Sequence, residues 1–142
     1  GALDESVELA DTKLALLASA PLMTNALFQH ELVTAVTELR AARAVLSETA
    51  ERAWSTAVAG APFTMRQRAD ARAAAVWVTQ RAVSVTDFAY RAGGGTSIYT
   101  DCPLQRRFRD VHAITQHFLV RADTLTSAGA VYAGQDPGLP VF

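Results

Sequence analysis

The side chains that could do chemistry are concentrated in residues 90–117 of this 142-residue sequence. Three consecutive glycines, at positions 93–95, are followed there by Thr96 and Ser97. Glycines next to hydroxyl residues can bring backbone N–H groups close to a phosphate. Arg91, just before the run, could pair with the same anion. A glycine run at a helix end is more often a stop and a flexible turn, so both interpretations stay open.

The histidines do not form a metal-binding pair. His112 and His117 are five residues apart, an offset of about 500° on a helix, so they do not share a face. No Cys, Asp or Glu stands at an offset that would complete a ligand set. We therefore predict no metal site. His30 lies near the start of a long predicted helix, where a structural or solvent-facing role is favoured.

The cysteine and the nearby arginines also have ordinary interpretations. Cys102 precedes a helix that Pro103 would begin, and the helix dipole could lower its thiol pKa. Packing or capping is nevertheless favoured. The basic run formed by Arg106, Arg107 and Arg109 is predicted to be a solvated face that pairs with nearby carboxylates or with a neighbouring subunit.

The composition excludes several classes of protein. Half of the residues are hydrophobic, 19% are charged, the net charge is -1 and there is one cysteine. A near-neutral chain lacks the basic surface of nucleic-acid binders, and a single cysteine excludes an internal disulfide framework. The longest uncharged stretch, residues 14–29, is shorter than the roughly 20 apolar residues of a membrane-spanning helix and contains Pro21. We expect a cytoplasmic protein that binds neither nucleic acid nor membranes.

The remaining sequence predicts helices that position this segment. Alanine, the best helix former, accounts for 28 residues, and no alternation typical of strands is sustained. Helices are predicted over residues 2–18, 28–59, 64–92, 103–116 and 122–133. The apolar face of the first helix is predicted to carry Leu3, Val7, Leu14 and Leu17. That of the second is predicted to carry Leu32, Val36, Leu39, Leu46, Ala50, Ala53 and Ala57, and that of the third Ala71, Ala74, Val78, Ala82, Val85 and Ala89. The last helix is predicted to carry Leu125, Ala128 and Tyr132.

The ends of the two long helices are marked by local signals. Gly60 and Pro62 stop the first, and Thr64 with Gln67 forms a capping box that starts the second. Long helices joined by a short loop run antiparallel. The predicted fold is an all-α, antiparallel up-down bundle of four to five helices over residues 1–134. Residues 135–142 are predicted to be an extended tail.

The order of these elements and one motif resemble a known family. From Pro103 the sequence reads Pro-Leu-Gln-Arg-Arg-Phe-Arg-Asp-Val-His, and Gln116-His117 follows. This is similar to the C-terminal helical domain of the acyl-CoA dehydrogenase superfamily. The closest resemblance is to its two-component flavin-dependent monooxygenases, which act on phenols, steroid-derived phenols or thiophenes.

The resemblance favours the monooxygenase branch for a specific reason. In the dehydrogenases a catalytic glutamate stands eight residues after the Asp that matches Asp110, whereas this sequence has Phe118 there. A phenyl ring cannot abstract a substrate proton. The resemblance implies that His117 lies near the flavin, where it would hydrogen-bond the adduct of reduced flavin and oxygen or help to deprotonate a phenol. A histidine that only caps a helix end is the structural alternative.

The resemblance also implies the cofactor contacts. Arg91, Gly94 and Gly95 match positions that contact the ADP portion of a flavin bound to a neighbouring subunit. Gln29 matches a glutamine near the cofactor. Arg91 replaces the usual glutamine of the dehydrogenases, which leaves FAD and FMN both open.

The family's complete subunit has two further domains, so the resemblance implies that these residues are a piece of a longer flavoenzyme. By themselves they are expected to bind no flavin and to catalyse nothing. Expected partners are further copies of the chain, in a dimer or tetramer, and a separate flavin reductase. Two alternatives remain: an acyl-CoA dehydrogenase with a relocated base, and a stand-alone helical assembly module without catalytic activity.

Overall fold

A computed structural model describes residues 1–14 and 18–138, and these residues form five α-helices and no strand. The helices are α1 (Ala2–Thr12), α2 (Ala26–Val58), α3 (Met65–Ala92), α4 (Pro103–Ile114) and α5 (Thr124–Tyr132). Short 3-10 turns cover Leu22–Thr24, Gly94–Ile98 and Phe118–Val120. The all-α prediction is confirmed, and so is the number of helices.

The chain divides into two compact units, and each of them contains one part of both long helices. The first unit contains Gly1–Arg40 and Arg81–Ala113, and the second contains Ala41–Gln80 and Ile114–Phe142. Within each unit α2 and α3 run antiparallel. In the first unit Glu38 of α2 accepts a hydrogen bond from Arg81 of α3 at 3.0 Å, and in the second unit Thr56 of α2 accepts one from Gln67 of α3 at 2.7 Å.

The first unit has the larger apolar core. The rings of Phe28 and Phe88 lie 5.8 Å apart between centroids, and Leu104 of α4 is fully buried against the same cluster. In the second unit the buried cluster consists of Ala69 of α3 and Ala128 of α5, with Ala73 and Val131 packed beside them. Small residues in this second core allow close approach of the helix backbones.

The predicted ends of the long helices are confirmed. Gly60 adopts a left-handed backbone conformation with φ of 64°, which ends α2. Thr64 and Gln67 form the predicted capping box, with N···O distances of 2.9 Å and 3.2 Å. The start of α2 differs, because Asn25 caps it by accepting from the backbone N–H groups of Leu27 and Phe28.

α1 ends at Thr12 and not near Ala18, as the sequence pattern suggested. Lys13 is extended, its carbonyl accepts from the N–H of Leu22 at 2.8 Å, and Leu14 forms an antiparallel bridge with Pro21. The helix has therefore ended by Lys13, well before Pro21. Leu17, predicted on the apolar face of α1, lies outside the described residues, and Leu14 is exposed.

The apolar face of α2 was predicted only in part. Phe28, Ala35 and Ala42 are the buried residues, whereas Val36 and Leu46 are exposed. Alanine and leucine occur on several faces of this helix, so apolar spacing alone does not identify the buried one. α3 fits better: Ala74, Val85 and Ala89 are buried as predicted, and these further residues are buried as well: Ala69, Val76, Thr86 and Phe88.

Candidate functional site

The glycine turn lies in the first unit and is built by close packing. Gly93 is buried, and a Cβ atom added to it would lie 2.0 Å from the Ser97 hydroxyl and 3.2 Å from a methyl group of Leu104. The Ser97 hydroxyl in turn donates to the carbonyl of Tyr90 at 2.8 Å. Only glycine fits at position 93, so the first residue of the run is structural.

The next two glycines, by contrast, are exposed. Gly94 has a left-handed φ of 50°, which favours glycine, and no atom lies within 4 Å of where a Cβ of Gly95 would stand. Arg91 is also exposed, and within residues 1–14 and 18–138 no hydrogen bond or ion pair engages its guanidinium. The two predicted glycines and the arginine therefore offer open backbone and a free cation at one helix end.

A second cation stands at this turn, and the sequence analysis missed it. The Lys13 ammonium donates to the Thr96 hydroxyl at 3.0 Å, and its last side-chain atoms lie 3.7–3.9 Å from the position of a Gly94 Cβ. The contact joins residues 83 apart in sequence. The early end of α1 places Lys13 here. A cation beside exposed glycines fits the phosphates of a nucleotide cofactor. Arg91 lines a neighbouring groove together with His30 and Glu31 of α2.

Gln29 makes a different contact. Its side-chain amide donates to the carbonyl of Met23 at 3.0 Å, across the first turn of α2. This hydrogen bond anchors the segment that leads into the helix. A cofactor contact by Gln29 stays a prediction.

A histidine that the sequence analysis set aside is engaged with α3. His112 of α4 lies 2.9 Å from a carboxylate oxygen of Asp87, and the Phe108 ring lies 4.4 Å from both the His112 and the Tyr90 rings. These contacts dock α4 on α3 directly after the glycine turn. The spacing of Asp87 and Tyr90 on α3, and of Phe108 and His112 on α4, is the helical signal that could have predicted them.

Two arginines of the basic run of α4 form ion pairs at the surface, as predicted. Arg107 makes a two-pronged contact with Glu5 of α1, with one N···O distance of 2.6 Å, and this contact raises the pKa of its guanidinium. Arg106 lies 3.5 Å from Asp110, as expected for residues four apart on a helix. Cys102 is half-buried against the core of the first unit, which agrees with packing rather than reactivity.

His117 lies in the second unit, at the start of the 3-10 turn Phe118–Val120. Its Nδ1 accepts a hydrogen bond from the backbone N–H of Leu119 at 3.3 Å. Because Nδ1 accepts, the neutral ring carries its proton on Nε2. The side chain is exposed, and in the described part of the chain no second hydrogen bond engages Nε2. His117 therefore presents an N–H donor to whatever lies beside it.

A phenyl ring stands where the resemblance places the base of a dehydrogenase. The Phe118 side chain is 61% exposed and stacks on His117, with 4.9 Å between ring centroids. No Asp or Glu occurs in the sequence between Asp110 and Asp123. Among the described residues, moreover, no group of three or more His, Cys, Asp or Glu side chains could hold a metal ion, and no helix is long and apolar enough to cross a membrane.

Comparisons with known proteins agree with this geometry. The family model described as "Acyl-CoA dehydrogenase, C-terminal domain" matches residues 1–122. Indole-3-acetate monooxygenase of Pseudomonas putida is 32% identical over 136 residues, which are 96% of this chain and 35% of that protein. The chain therefore spans about a third of the length of this relative.

Two solved structures have the same helical fold. XiaF from Streptomyces sp., in complex with FADH2 and glycerol, superposes with a TM-score of 0.91 at 20% identity, over 98% of this chain and 36% of XiaF. The HsaA monooxygenase from M. tuberculosis superposes with a TM-score of 0.83 at 25% identity, over 97% of this chain and 36% of HsaA. On the helices, the glycine turn and the family match, this chain belongs to the acyl-CoA dehydrogenase C-terminal domain family.

Proposed function

We propose that this chain is the C-terminal domain of a monooxygenase that uses reduced flavin to hydroxylate an aromatic or phenolic substrate. The observation that carries the proposal is the exposed His117 N–H donor beside Phe118, at the position where a dehydrogenase needs a carboxylate. The monooxygenase relatives support the proposal, because the chain aligns with them over 96% of its length. When bound, reduced flavin would activate molecular oxygen for transfer to the ring.

The cofactor phosphates are assigned to the glycine turn. Arg91 and Lys13 supply two positive charges, and the exposed Gly94 and Gly95 have no side chain that would block a close approach to the backbone. We infer that these four residues hold the phosphate portion of FAD or FMN, bound to a neighbouring subunit. Charge-assisted hydrogen bonds to phosphate are the strong ones, so this contact contributes affinity rather than chemistry.

His117 is assigned the role of a hydrogen-bond donor. For a neutral histidine to remove a proton, its unprotonated nitrogen must face the substrate, and here that nitrogen, Nδ1, is occupied by the Leu119 N–H. The opposite nitrogen, Nε2, is therefore the donor. A fixed donor of this kind stabilises negative charge that develops on a reacting oxygen. The hydrogen bond to Leu119 holds the ring in the required orientation.

The partners follow from the same assignment. A domain that contacts a neighbour's flavin requires a homo-oligomer, and we propose a dimer or tetramer. A separate flavin reductase supplies reduced flavin, and both proteins work in the cytoplasm. If an upstream reading frame encodes no further domains, the chain is instead a stand-alone assembly module, and the proposal is wrong.

Two variants of His117 test the assignment in the complete protein that contains these residues. In His117→Asn the amide oxygen still caps the Phe118–Val120 turn, but the outer N–H is lost, so we expect hydroxylation to fall by about a hundredfold with unchanged stability. In His117→Gln an amide N–H can take the place of Nε2, and we expect partial activity. Equal activity of wild type and His117→Asn would show that His117 only caps the Phe118–Val120 turn and has no catalytic role.

The acyl-CoA dehydrogenase alternative is tested by substrate. An acyl-CoA added without oxygen or reductase would reduce the bound flavin of a dehydrogenase, and its absorbance would bleach. For the proposed monooxygenase we expect no bleaching with an acyl-CoA. We expect consumption of externally supplied reduced flavin with an aromatic substrate such as indole-3-acetate or a phenol.

A further inference from the structure

An open groove in the second unit has an apolar wall that is partly exposed to solvent. Residues of α2, α3 and α5 line it, and its volume is about 710 Å³. Its three largest apolar side chains are Trp77 and Leu125, each 36% exposed, and Tyr132, which is 51% exposed. Pockets of roughly 300–1,000 Å³ with aromatic walls are typical of small-molecule sites. The size of the groove and its rings therefore fit one planar organic molecule.

Two arginines of the same groove share one carboxylate. Nε of Arg66 lies 3.3 Å from one oxygen of Asp70, and a terminal nitrogen of Arg52 lies 3.5 Å from the other. The Tyr132 hydroxyl also donates to Asp70, whereas Glu48 lies 3.8 Å from Arg52, beyond hydrogen-bond distance. Two guanidinium groups together offer about ten N–H donors, and one carboxylate accepts about four hydrogen bonds. Asp70 therefore leaves donors of both arginines for a further acceptor.

These donors are held at the edge of the apolar wall. The Arg66 guanidinium carbon lies 3.5 Å from the centroid of the Tyr132 ring, which is a cation–π contact. The side chains of Arg52 and Arg66 are 56% and 58% exposed, whereas that of Asp70 is 20% exposed. The guanidinium groups are thus accessible to a ligand, and the carboxylate that anchors them is more buried.

We propose that this groove, hereafter the Trp77 groove, binds an aromatic carboxylate. The ring of the ligand packs against Trp77, Leu125 and Tyr132, and its carboxylate accepts hydrogen bonds from Arg52 and Arg66. A neutral aromatic molecule would leave the spare guanidinium donors unused, and an inorganic anion would leave the apolar wall in water. The inference does not depend on the flavin assignment, since none of these residues belongs to the glycine turn.

Naphthoate, an aromatic carboxylate, tests the Trp77 groove in the complete protein that contains these residues. Naphthamide is the uncharged probe of the same shape. In isothermal titration calorimetry we expect naphthoate to bind about tenfold more tightly than naphthamide, because charge-assisted hydrogen bonds are the stronger ones.

Variants of the groove separate the two halves of the ligand. Arg66→Gln should weaken naphthoate binding by about tenfold and leave naphthamide binding unchanged. Arg66→Lys keeps the charge without the planar fork, so we expect an intermediate affinity for naphthoate. Trp77→Leu should weaken the binding of both probes, because the ring of the ligand loses an aromatic contact.

Arg43→Gln is the matched control, because Arg43 is an exposed arginine of α2 that does not line the groove. It should leave both affinities unchanged, and circular dichroism shows whether each variant is folded. The inference is wrong if naphthoate does not bind, if naphthamide binds as tightly, or if an equal concentration of sulfate displaces naphthoate. It is also wrong if folded Arg66→Gln and Trp77→Leu bind naphthoate as the wild type does, since the probe then occupies another site.

Discussion

The two turns that end the long helices look alike in sequence but differ in use. At the α2 end, Gly60 stops the helix, and the polar groups of Thr64 and Gln67 form hydrogen bonds with each other, with the backbone and with Thr56. At the α3 end, Gly94 and Gly95 are exposed, and the Lys13 ammonium lies beside Gly94. The two turns therefore differ in what stands beside a glycine with a left-handed backbone: the end of the Lys13 side chain lies 3.7–3.9 Å from the position of a Gly94 Cβ, and no atom lies within 4 Å of the position of a Gly60 Cβ.

The largest expected loss of stability is at Gly93, in the turn that ends α3. Gly93→Ala puts a methyl group 2.0 Å from the Ser97 hydroxyl, so the turn must move and the hydrogen bond to Tyr90 is strained. We expect the free energy of unfolding, from urea denaturation, to fall by about 1–3 kcal/mol. In the matched control Gly95→Ala the new methyl meets open space, and the change should stay within about 0.5 kcal/mol. Equal effects of the two variants would contradict the packing described.

The capping box at the other turn gives the next largest effect. Thr64→Ala removes the hydroxyl that accepts from the Gln67 N–H, and we expect a loss of about 1 kcal/mol in the free energy of unfolding. The same variant should bind flavin as the wild type does, because all polar groups of this turn serve the helix. A change in flavin affinity would show that the two turns do not differ in the way proposed.

The Lys13–Thr96 contact can be removed with a smaller loss of stability, and its removal tests whether Lys13 contributes to flavin affinity. Thr96→Val removes the hydroxyl and keeps the shape of the side chain, so an exposed hydrogen bond to Lys13 is lost. We expect the midpoint of urea unfolding to change little, by about 0.5 kcal/mol or less in free energy. Flavin affinity should fall, since Lys13 is no longer held at the turn. Unchanged affinity in a folded variant would remove Lys13 from the site.

The smallest expected effect concerns the hydrogen bond between Tyr132 and Asp70 in the second unit, and a titration measures it. The Tyr132 hydroxyl donates to Asp70, and this contact raises the pKa of Tyr132 above the ordinary tyrosine value. Because the folded-state pKa is the higher one, the contact stabilises the fold below about pH 10 and is lost as the pH rises through the folded-state value. Ultraviolet titration should show a late tyrosinate step that is absent in Tyr132→Phe. Identical titrations would contradict the contact.

Much of the fold could be predicted because its signals are local. Gly60, the pair Thr64 and Gln67, and Pro103 each act within one helical turn, and the structure confirms all three boundaries. The buried face of α2 was harder, since alanine fits either a core or a surface. Phe28 is buried and Leu46 is exposed, although both are large and apolar.

The site was less predictable, because its parts come from distant segments. Lys13 and Thr96 are 83 residues apart, and Asp87 and His112 are 25 apart. The Lys13–Thr96 pair leaves no pattern in the sequence, and the Asp87–His112 pair leaves only the three- and four-residue spacings within each helix. The tautomer of His117 depends on a backbone N–H of the 3-10 turn, which no composition or spacing reports. The resemblance identified the residue, and the contact defines its proposed role as a donor.

The central claim is that Arg91 and Lys13, with the glycine turn, hold the phosphate portion of the flavin. Its most direct test is flavin affinity after removal of both cations. In the complete protein we predict that Arg91→Ala weakens binding of reduced flavin by about tenfold, since a charge-assisted hydrogen bond is lost, and that Arg91→Ala combined with Lys13→Ala weakens it further. Glu8→Arg is the charge control and should bind normally. A folded double variant that binds flavin as tightly as the wild type would contradict the claim.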